Sequence, residues 1–487
     1  MSSRSGKRII VFFASLVLAL TGICAEPSPA KVVGLKNNGG IWWFTAPDGQ
    51  PFLSIGVNHV EPVYWRAQGD GQFATNTYGS DFLLPDGEIN DRSPGAKVWA
   101  NRVATNLTSW GFNTLGMHTP PLNCLRSFEN IYFVVELKIP ISWGWNMKRQ
   151  QMHQAFKRNP VDVFSDEFAA TVDANAKEVA GAYADNPRVL GYVYTDGPPW
   201  ALDTDKATEK SMNDAERIIH PWVLALMNRP ATAKGKQAWV ALLKQRYASP
   251  GDAGRTYAVP ASSWNDLAAK TGWSAVDDSA KAGEDSRAFL HDIIRQWYSV
   301  RKDAIRRYDS NHLILGDKLN VNRDARDMEE MSAVLRIMKD YVDLTCMQYY
   351  APFSEQKAVL ARIYAETQKP VLNGDTTYFR NDAQKKGDEF YTAMGETYAR
   401  ELAALFALPY YIGYHHCGYI RGFNLPYQNA VEKGDSKEIA RLEKTKYRPG
   451  FISEFEEPIE PMLAPLIQAI SNCPAVHRGA TAAISRP

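Results

Sequence analysis

Short apolar runs alternate with longer amphipathic stretches along most of this chain. The runs are Pro51–Val57, Asn113–His118, Tyr132–Ile139, Val189–Thr195, His312–Leu315, Val342–Gln348, Pro370–Gly374 and Tyr410–His415. Most carry few polar interruptions, which predicts strands buried on both faces. Between several of them, Asp166–Ala184, Ala288–Tyr308, Ala325–Lys339 and Phe390–Phe406 repeat apolar residues at helical spacing. Eight buried strands separated by helices predict an α/β chain built as a (β/α)8 TIM barrel. More than a hundred residues separate the fourth run from the fifth, and they include the helical stretches Lys236–Tyr247 and Ser263–Thr271. That spacing predicts a helical insertion over the barrel mouth, at about residues 201–285. Gly34–Ala46, with Trp42 and Trp43, predicts a small β-hairpin across the barrel bottom. No repeat, low-complexity tract or linker divides the rest. The expected organisation is therefore a leader at 1–25, the hairpin and linker at 26–50, the barrel at 51–460, and a C-terminal helix and tail at 461–487.

The leader comes from a second pattern. Arg4, Lys7 and Arg8 precede an apolar run from Ile9 to Leu20, and Ala25 stands before Glu26-Pro27. A basic start, a short apolar core and a small residue before a polar break describe a secretory signal peptide, with cleavage expected after Ala25. The run is too short to span a bilayer comfortably, so a secreted or periplasmic location is expected. Cys124, Cys346, Cys417 and Cys473 then remain, too few and too dispersed for a disulfide framework or a zinc ribbon. Lys and Arg total 55 against 54 Asp and Glu, which removes the basic excess that a nucleic-acid partner would need. Aromatic residues make up 11% of the chain, a composition that suits stacking on sugar rings and a large core alike.

Where each apolar run stops, the residues change character. The run ends bring Asn58, His59 and Glu61 after the first, His118 after the second, and Trp143 and Trp145 beyond the third. Asp196 and Trp200 follow the fourth, Asp317 and Lys318 the fifth, and Gln348, Tyr349 and Tyr350 close the sixth. Asp375 and Tyr378 follow the seventh, and His415 and His416 end the eighth. Barrels of this kind place their active sites at the C-terminal ends of the strands. A single polar residue there is usually a loop cap, but such residues at every end point to a site.

Several of these segments resemble the family 50 glycoside hydrolases, the β-agarases. The similarity is carried by Trp42-Trp43-Phe44-Thr45-Ala46-Pro47-Asp48-Gly49, running into Phe52-Leu53-Ser54-Ile55-Gly56-Val57-Asn58, and by Trp110-Gly111-Phe112-Asn113-Thr114-Leu115-Gly116. Asp162-Val163-Phe164, Gly191-Tyr192, Arg306-Arg307-Tyr308-Asp309-Ser310-Asn311-His312-Leu313 and Gly413-Tyr414-His415 follow in family order. The resemblance implies a retaining barrel with an Asn-Glu pair on the fourth strand and a Glu nucleophile on the seventh. Both positions depart here. The fourth strand reads Tyr194-Thr195-Asp196-Gly197-Pro198-Pro199-Trp200, so Asp196 falls on either the Asn or the Glu position according to the direction of counting. The seventh reads Asn373-Gly374-Asp375, with Asp where the family has Glu.

Glycosidic hydrolysis needs one carboxyl to protonate the leaving oxygen and a second carboxylate across the anomeric carbon. Aspartate supplies the same group on a shorter stem. Asp196 is the expected general acid, Asp375 the nucleophile or general base, and Asp317 the carboxylate that replaces either; Glu61 and Glu136 are weaker candidates. Asn58, His59, His118, Trp143, Trp200, Lys318, Gln348, Tyr349, Tyr350, Tyr378, His415 and His416 are the expected substrate contacts. The shorter side chains would widen the carboxyl separation by roughly 1–2 Å from the retaining value of about 5–5.5 Å, leaving retention and inversion both open. No phosphate loop, nucleophile elbow or metal-ligand motif is present, so no cofactor or metal is expected. The sequence thus predicts a hydrolase acting on a poly- or oligosaccharide, of agar or galactan type on the family resemblance, with no nucleic-acid partner. A carbohydrate-binding protein that has lost the catalytic Glu pair is the alternative. Buried ion pairs on the aspartates would favour that alternative.

Overall fold

The computed structural model describes residues 32–61, 72–85, 89–137, 161–195, 200, 222–273, 280–324, 328–377, 387–423, 430, 433–442, 447–448, 450–453 and 455–480. The leader and the tail from residue 481 lie outside these described residues.

The chain opens with β1 (Gly34–Asn38), β2 (Ile41–Thr45) and β3 (Pro51–Phe52), which form an antiparallel three-stranded sheet. The expected hairpin is β1 and β2. The backbone N–H of Trp42 donates to the carbonyl of Pro409 at 2.7 Å, and the Trp42 carbonyl lies 2.7 Å from His477 Nε2. Pro409 precedes β12 (Tyr411–Cys417), so the small sheet is fastened where that strand begins. The expected first run divides at Leu53: Pro51 and Phe52 join the small sheet, and Ser54–Asn58 becomes β4 of the large one.

The large sheet also contains β5 (Thr114–Leu115), β6 (Tyr132–Glu136), β7 (Val189–Val193), β8 (Ile314–Gly316), β9 (Leu319–Asn320), β10 (Thr345–Gln348) and β11 (Val371–Thr376). Its nine strands run in the order β8-β7-β6-β5-β4-β12-β11-β10-β9, and every pairing is parallel. Every residue of β4, β7 and β11 is buried, as apolar strands covered on both faces should be. The sheet curls so far that its two edge strands are neighbours in the chain, separated only by Asp317 and Lys318. The fifth expected run emerges as β8, which pairs to β7, and after a break the chain continues into β9, which pairs to β10. Gly316 makes the break possible. Its φ of +75° lies in the left-handed region, and a Cβ there would stand 2.5 Å from Val342 Cγ1.

Helices cover the outer face. Ser93 and Ser165 cap Pro94–Ser109 and Asp166–Tyr183 by accepting from Ala96 N and Phe168 N, which sets where each helix starts. The 29-residue helix Ala280–Tyr308 packs on Asp166–Tyr183, and Gly387–Phe406 packs on the C-terminal helix Glu460–Arg478. Between β7 and Ala280–Tyr308 lie Trp222–Met227, Lys234–Arg246, Pro250–Thr256 and Trp264–Ala269. They share the core of the molecule. Trp239 stands 5.3 Å from Phe289, and the buried Asp285 of the long helix accepts from Tyr247 (2.5 Å), Tyr257 (2.6 Å) and Arg246. Among the described residues, Cys124, Cys346, Cys417 and Cys473 form no disulfide. Among the described residues no helix is long and apolar enough to cross a membrane.

Candidate active site

Each strand of a parallel sheet points its successive side chains alternately inward and outward. This alternation sorts the polar residues at the strand ends. On β11, Asp375 lies at the C-terminal end and is 5% exposed. Lys318, in the break between β8 and β9, places Nζ 2.5 Å from Asp375 Oδ2. The same Nζ lies 3.3 Å from Nε2 of His118, whose ring stacks on His59 at 4.8 Å. Glu136, the last residue of β6, accepts the backbone N–H of His118, and its second oxygen lies 3.7 Å from His118 Nδ1. Asp375, Lys318, His118, His59 and Glu136 thus form one polar cluster contributed by five different strand ends.

The electrostatics follow from burial and charge. Burial alone would raise the Asp375 carboxyl, but Lys318, then His118 and His59, outweigh it and hold the group well below the usual carboxylate range. Asp375 is therefore held in its ionised form at ordinary pH. Tyr350 is 37% exposed as a residue, but the burial of its hydroxyl beside Asp375 and Cys417, followed by the Asp375 charge, pushes that hydroxyl well above the ordinary phenol value.

Beneath this cluster, His415 is fully buried, with Nε2 2.8 Å from Ser54 Oγ. Burial lowers it to about 3, against the opposing pull of Asp375, so the ring is neutral at ordinary pH. Asn58 donates to the carbonyl of Gly374 at 2.8 Å, bracing the residue before Asp375. A Cβ on Gly116 would fall 1.8 Å from Asn58 Oδ1 and 3.2 Å from His415 Nδ1, so only glycine leaves room for both side chains. His59 and His118 have φ of +49° and +60°. Left-handed backbone at non-glycine residues costs of order 1–3 kcal/mol each and clusters at functional sites.

The structure turns three expected site residues away from this cluster. Asp317 is fully buried in the sheet–helix layer, where Oδ1 accepts from Thr195 at 2.7 Å and Oδ2 from Trp297 Nε1 at 2.8 Å. Burial raises it, opposed by Arg301 and these donors. Adjacent residues on an extended chain face opposite sides, so Lys318 turning inward sends Asp317 outward. Trp200, 6% exposed, stacks on Trp222 at 5.2 Å and meets Trp297 edge-on at 5.9 Å, bracing the helices instead of offering a sugar platform. His416, fully buried, packs 4.3 Å from Phe451 and 5.3 Å from Tyr398 on the helical side of β12.

Tyr349 is 8% exposed, and its backbone is held by Asn373, which accepts from Tyr349 N at 3.2 Å and donates to its carbonyl at 3.1 Å. Gln348 ends β10 opposite Asp375 in the register. Asp196, Trp143 and Tyr378 lie outside the described residues. Sequence reasoning ranked Glu136 low and missed Ser54, Asn373 and Thr195. Their signal was a polar residue interrupting an otherwise apolar strand.

A hollow of about 800 Å³ lies elsewhere, lined by Pro47, Glu129, Tyr132, Asp185 and Arg188 among others. These residues precede or begin β6 and β7, so the hollow is at the opposite end of the strands from Asp375. The strand-end cluster, with its buried charges and strained backbone, is the stronger candidate.

A curled parallel sheet sheathed in helices, with charged residues gathered at the C-terminal strand ends, is the arrangement of barrel-type α/β folds, whose sites lie at that face. No family model matches the sequence, and no curated protein matches it. Among solved structures, an agarase, AgWH50C, superposes with a TM-score of 0.66 at 17% identity over 92% of this chain, which spans 66% of the agarase's own length. An exo-beta-agarase gives 0.64 at 15% identity, covering 93% of this chain and 66% of its own. A beta-galactosidase from Bacillus circulans sp. alkalophilus gives 0.50 at 10% identity, over 87% and 56%. At these identities the likeness is one of fold.

Proposed function

We propose that this protein is an exported glycoside hydrolase whose sheet closes into a (β/α)8 barrel through the broken strand β8–β9. Ionised Asp375 is the nucleophile or general base, and Asp196 supplies the acid. The observation that carries this reading is Asp375 itself, a buried carboxylate kept charged at a C-terminal strand end beside the Tyr350 hydroxyl. Stability gives no reason to bury an aspartate, a lysine and two left-handed histidines together. An ionised carboxylate can attack the anomeric carbon or activate a water, and a protonated Asp196 completes the pair that hydrolysis requires. Galactan-type chains are the proposed substrate, on the sequence resemblance and the fold likeness to agarases. The purified protein should release sugar from one member of a polysaccharide and aryl-glycoside panel, and Asp375→Asn should not. Proton NMR of the first-formed product then distinguishes retention from inversion.

The Lys318–Asp375 contact favours a second reading. An ammonium 2.5 Å from the carboxylate quenches its nucleophilicity and is what a carbohydrate-binding protein on a hydrolase fold would tolerate. Saturable binding of an oligosaccharide by calorimetry, without product after prolonged incubation, would establish that reading and sink the first.

A further inference from the structure

Strand β11 carries one residue more than either of its neighbours. Against β10, Met347 stands opposite Asn373, and the next residue, Gln348, already stands opposite Asp375. Against β12, Asn373 stands opposite Tyr414 and Thr376 opposite His416. The extra residue is Gly374, where a Cβ would fall 2.9 Å from Cys346 Sγ. A bulge of this kind is rare in parallel sheets, and it re-aims the side chain that follows it. Here that side chain is Asp375.

The bulge takes the β11 backbone out of register with β10, whose ladder ends at Gln348. Tyr349, 8% exposed, still needs partners for its N–H and its carbonyl. Side chains supply them. Asn373, fully buried, accepts from Tyr349 N at 3.2 Å and donates to the Tyr349 carbonyl at 3.1 Å. Its amide thus does what a backbone peptide does in a regular ladder. Thr376 Oγ1 donates to the same carbonyl at 2.8 Å. At the other end of that peptide, Tyr350 N donates at 2.9 Å to Oδ1 of Asn322, in the short helix Val321–Asp324 after β9. The peptide joining Tyr349 to Tyr350 is therefore held at its oxygen and at its nitrogen. Tyr350 follows directly, with its hydroxyl buried beside Asp375 and Cys417. A phenol oxygen lies far from its own Cα, so a small tilt of this peptide is magnified at the hydroxyl.

We propose that Asn373 and Thr376 are positioning residues: they replace the backbone pairing lost at the Gly374 bulge, and so hold the Tyr350 hydroxyl beside Asp375. The proposal rests on the reading of Asp375 as the working carboxylate. It adds a device by which one bulge aims the carboxylate and the residues flanking that bulge set its phenol neighbour. Without the Asn373 amide the peptide turns, and the phenol leaves Asp375 although both members of the pair are still present.

The test reads Tyr350 without substrate. The full chain is labelled with 13Cζ-tyrosine, whose resonance moves on ionisation, and Tyr350 is assigned by its loss in Tyr350→Phe. Wild-type Tyr350 should stay un-ionised at about pH 10.5, where most of an ordinary phenol is ionised, because burial and then the Asp375 charge oppose the phenolate. In Asn373→Leu it should titrate near the ordinary value of about 10. Thr376→Val keeps the side-chain shape, removes one donor from the Tyr349 carbonyl, and should move the titration part of the way. A merely structural Asn373 would lower the melting temperature and leave Tyr350 un-ionised. That result in folded Asn373→Leu, or in Thr376→Val if the first variant does not fold, would overturn the proposal. So would a wild-type Tyr350 that titrates as an ordinary phenol. Should Tyr350 respond as expected while no sugar is hydrolysed, the positioning device stands and the hydrolase reading alone falls.

Discussion

Two buried aspartates close successive parts of the same sheet, and they live in opposite electrostatic worlds. Asp375, at the end of β11, faces an ammonium at 2.5 Å and is held ionised. Asp317, in the break between β8 and β9, meets a threonine hydroxyl and an indole N–H and is pushed upward by burial. The cation that acts on Asp317 is Arg301, itself fully buried with its guanidinium 3.5 Å from the centre of the Trp297 ring, and burial lowers it to about 10. One carboxylate faces the strand-end cluster and the other holds a helix to a strand. A polar residue at a strand end therefore signals nothing until its facing direction is known.

The sharpest way to break the comparison is to neutralise each aspartate in turn. Asp375→Asn leaves Lys318 buried without its counter-charge, which should cost about 3 kcal/mol in urea denaturation as well as all hydrolysis. Adding Lys318→Met should restore most of the stability and none of the activity. If the single variant is as stable as wild type, the ion pair contributes little to folding.

Asp317→Asn should cost about 2 kcal/mol, because one oxygen can still accept from Thr195 or Trp297 but Arg301 loses its nearest charge. Its catalytic constants per folded molecule should match wild type. A selective loss of kcat would return Asp317 to the site.

His415 sharpens the comparison through pH. Its folded value of about 3 lies below the unfolded 6.5, so the native state binds fewer protons. Its contribution is complete above the unfolded value and is lost as pH falls through the window between the two. Stability should drop by about 2 kcal/mol between pH 8 and pH 5, a slope that His415→Gln should remove. A wild-type curve flat over that range would show the ring protonating in place.

The smallest effect concerns the break that separates the two aspartates. Gly316→Ala places a Cβ against Val342 at φ +75° and should cost about 1–2 kcal/mol. Pairing it with Val342→Ala should recover part of the loss. Full stability in the single variant would mean that the break does not need glycine.

Much of the fold was legible in the sequence. Val189–Val193 and Tyr411–Cys417 emerge as strands close to where their unbroken apolar runs stand, and Asp166–Tyr183 starts where Ser165 can cap it. Those features depend on neighbours in the chain, which a sequence displays. Asp375, Lys318, His59 and His118 were singled out correctly as strand-end residues, and the structure gathers them. The sequence could not say that His416 would pack on Phe451, that Trp200 would join an indole stack, or that Glu136 would reach His118 from the next strand. Each outcome depends on which face of a strand a residue occupies and on what a segment far away in sequence brings against it. The two-residue break after a left-handed glycine sends Asp317 and Lys318 to opposite faces, and it leaves composition and periodicity almost unchanged. The elements were therefore determined locally by the order of the residues, whereas the division of the acidic and histidine side chains between a site and a core was decided only when the sheet curled and its helices closed over it.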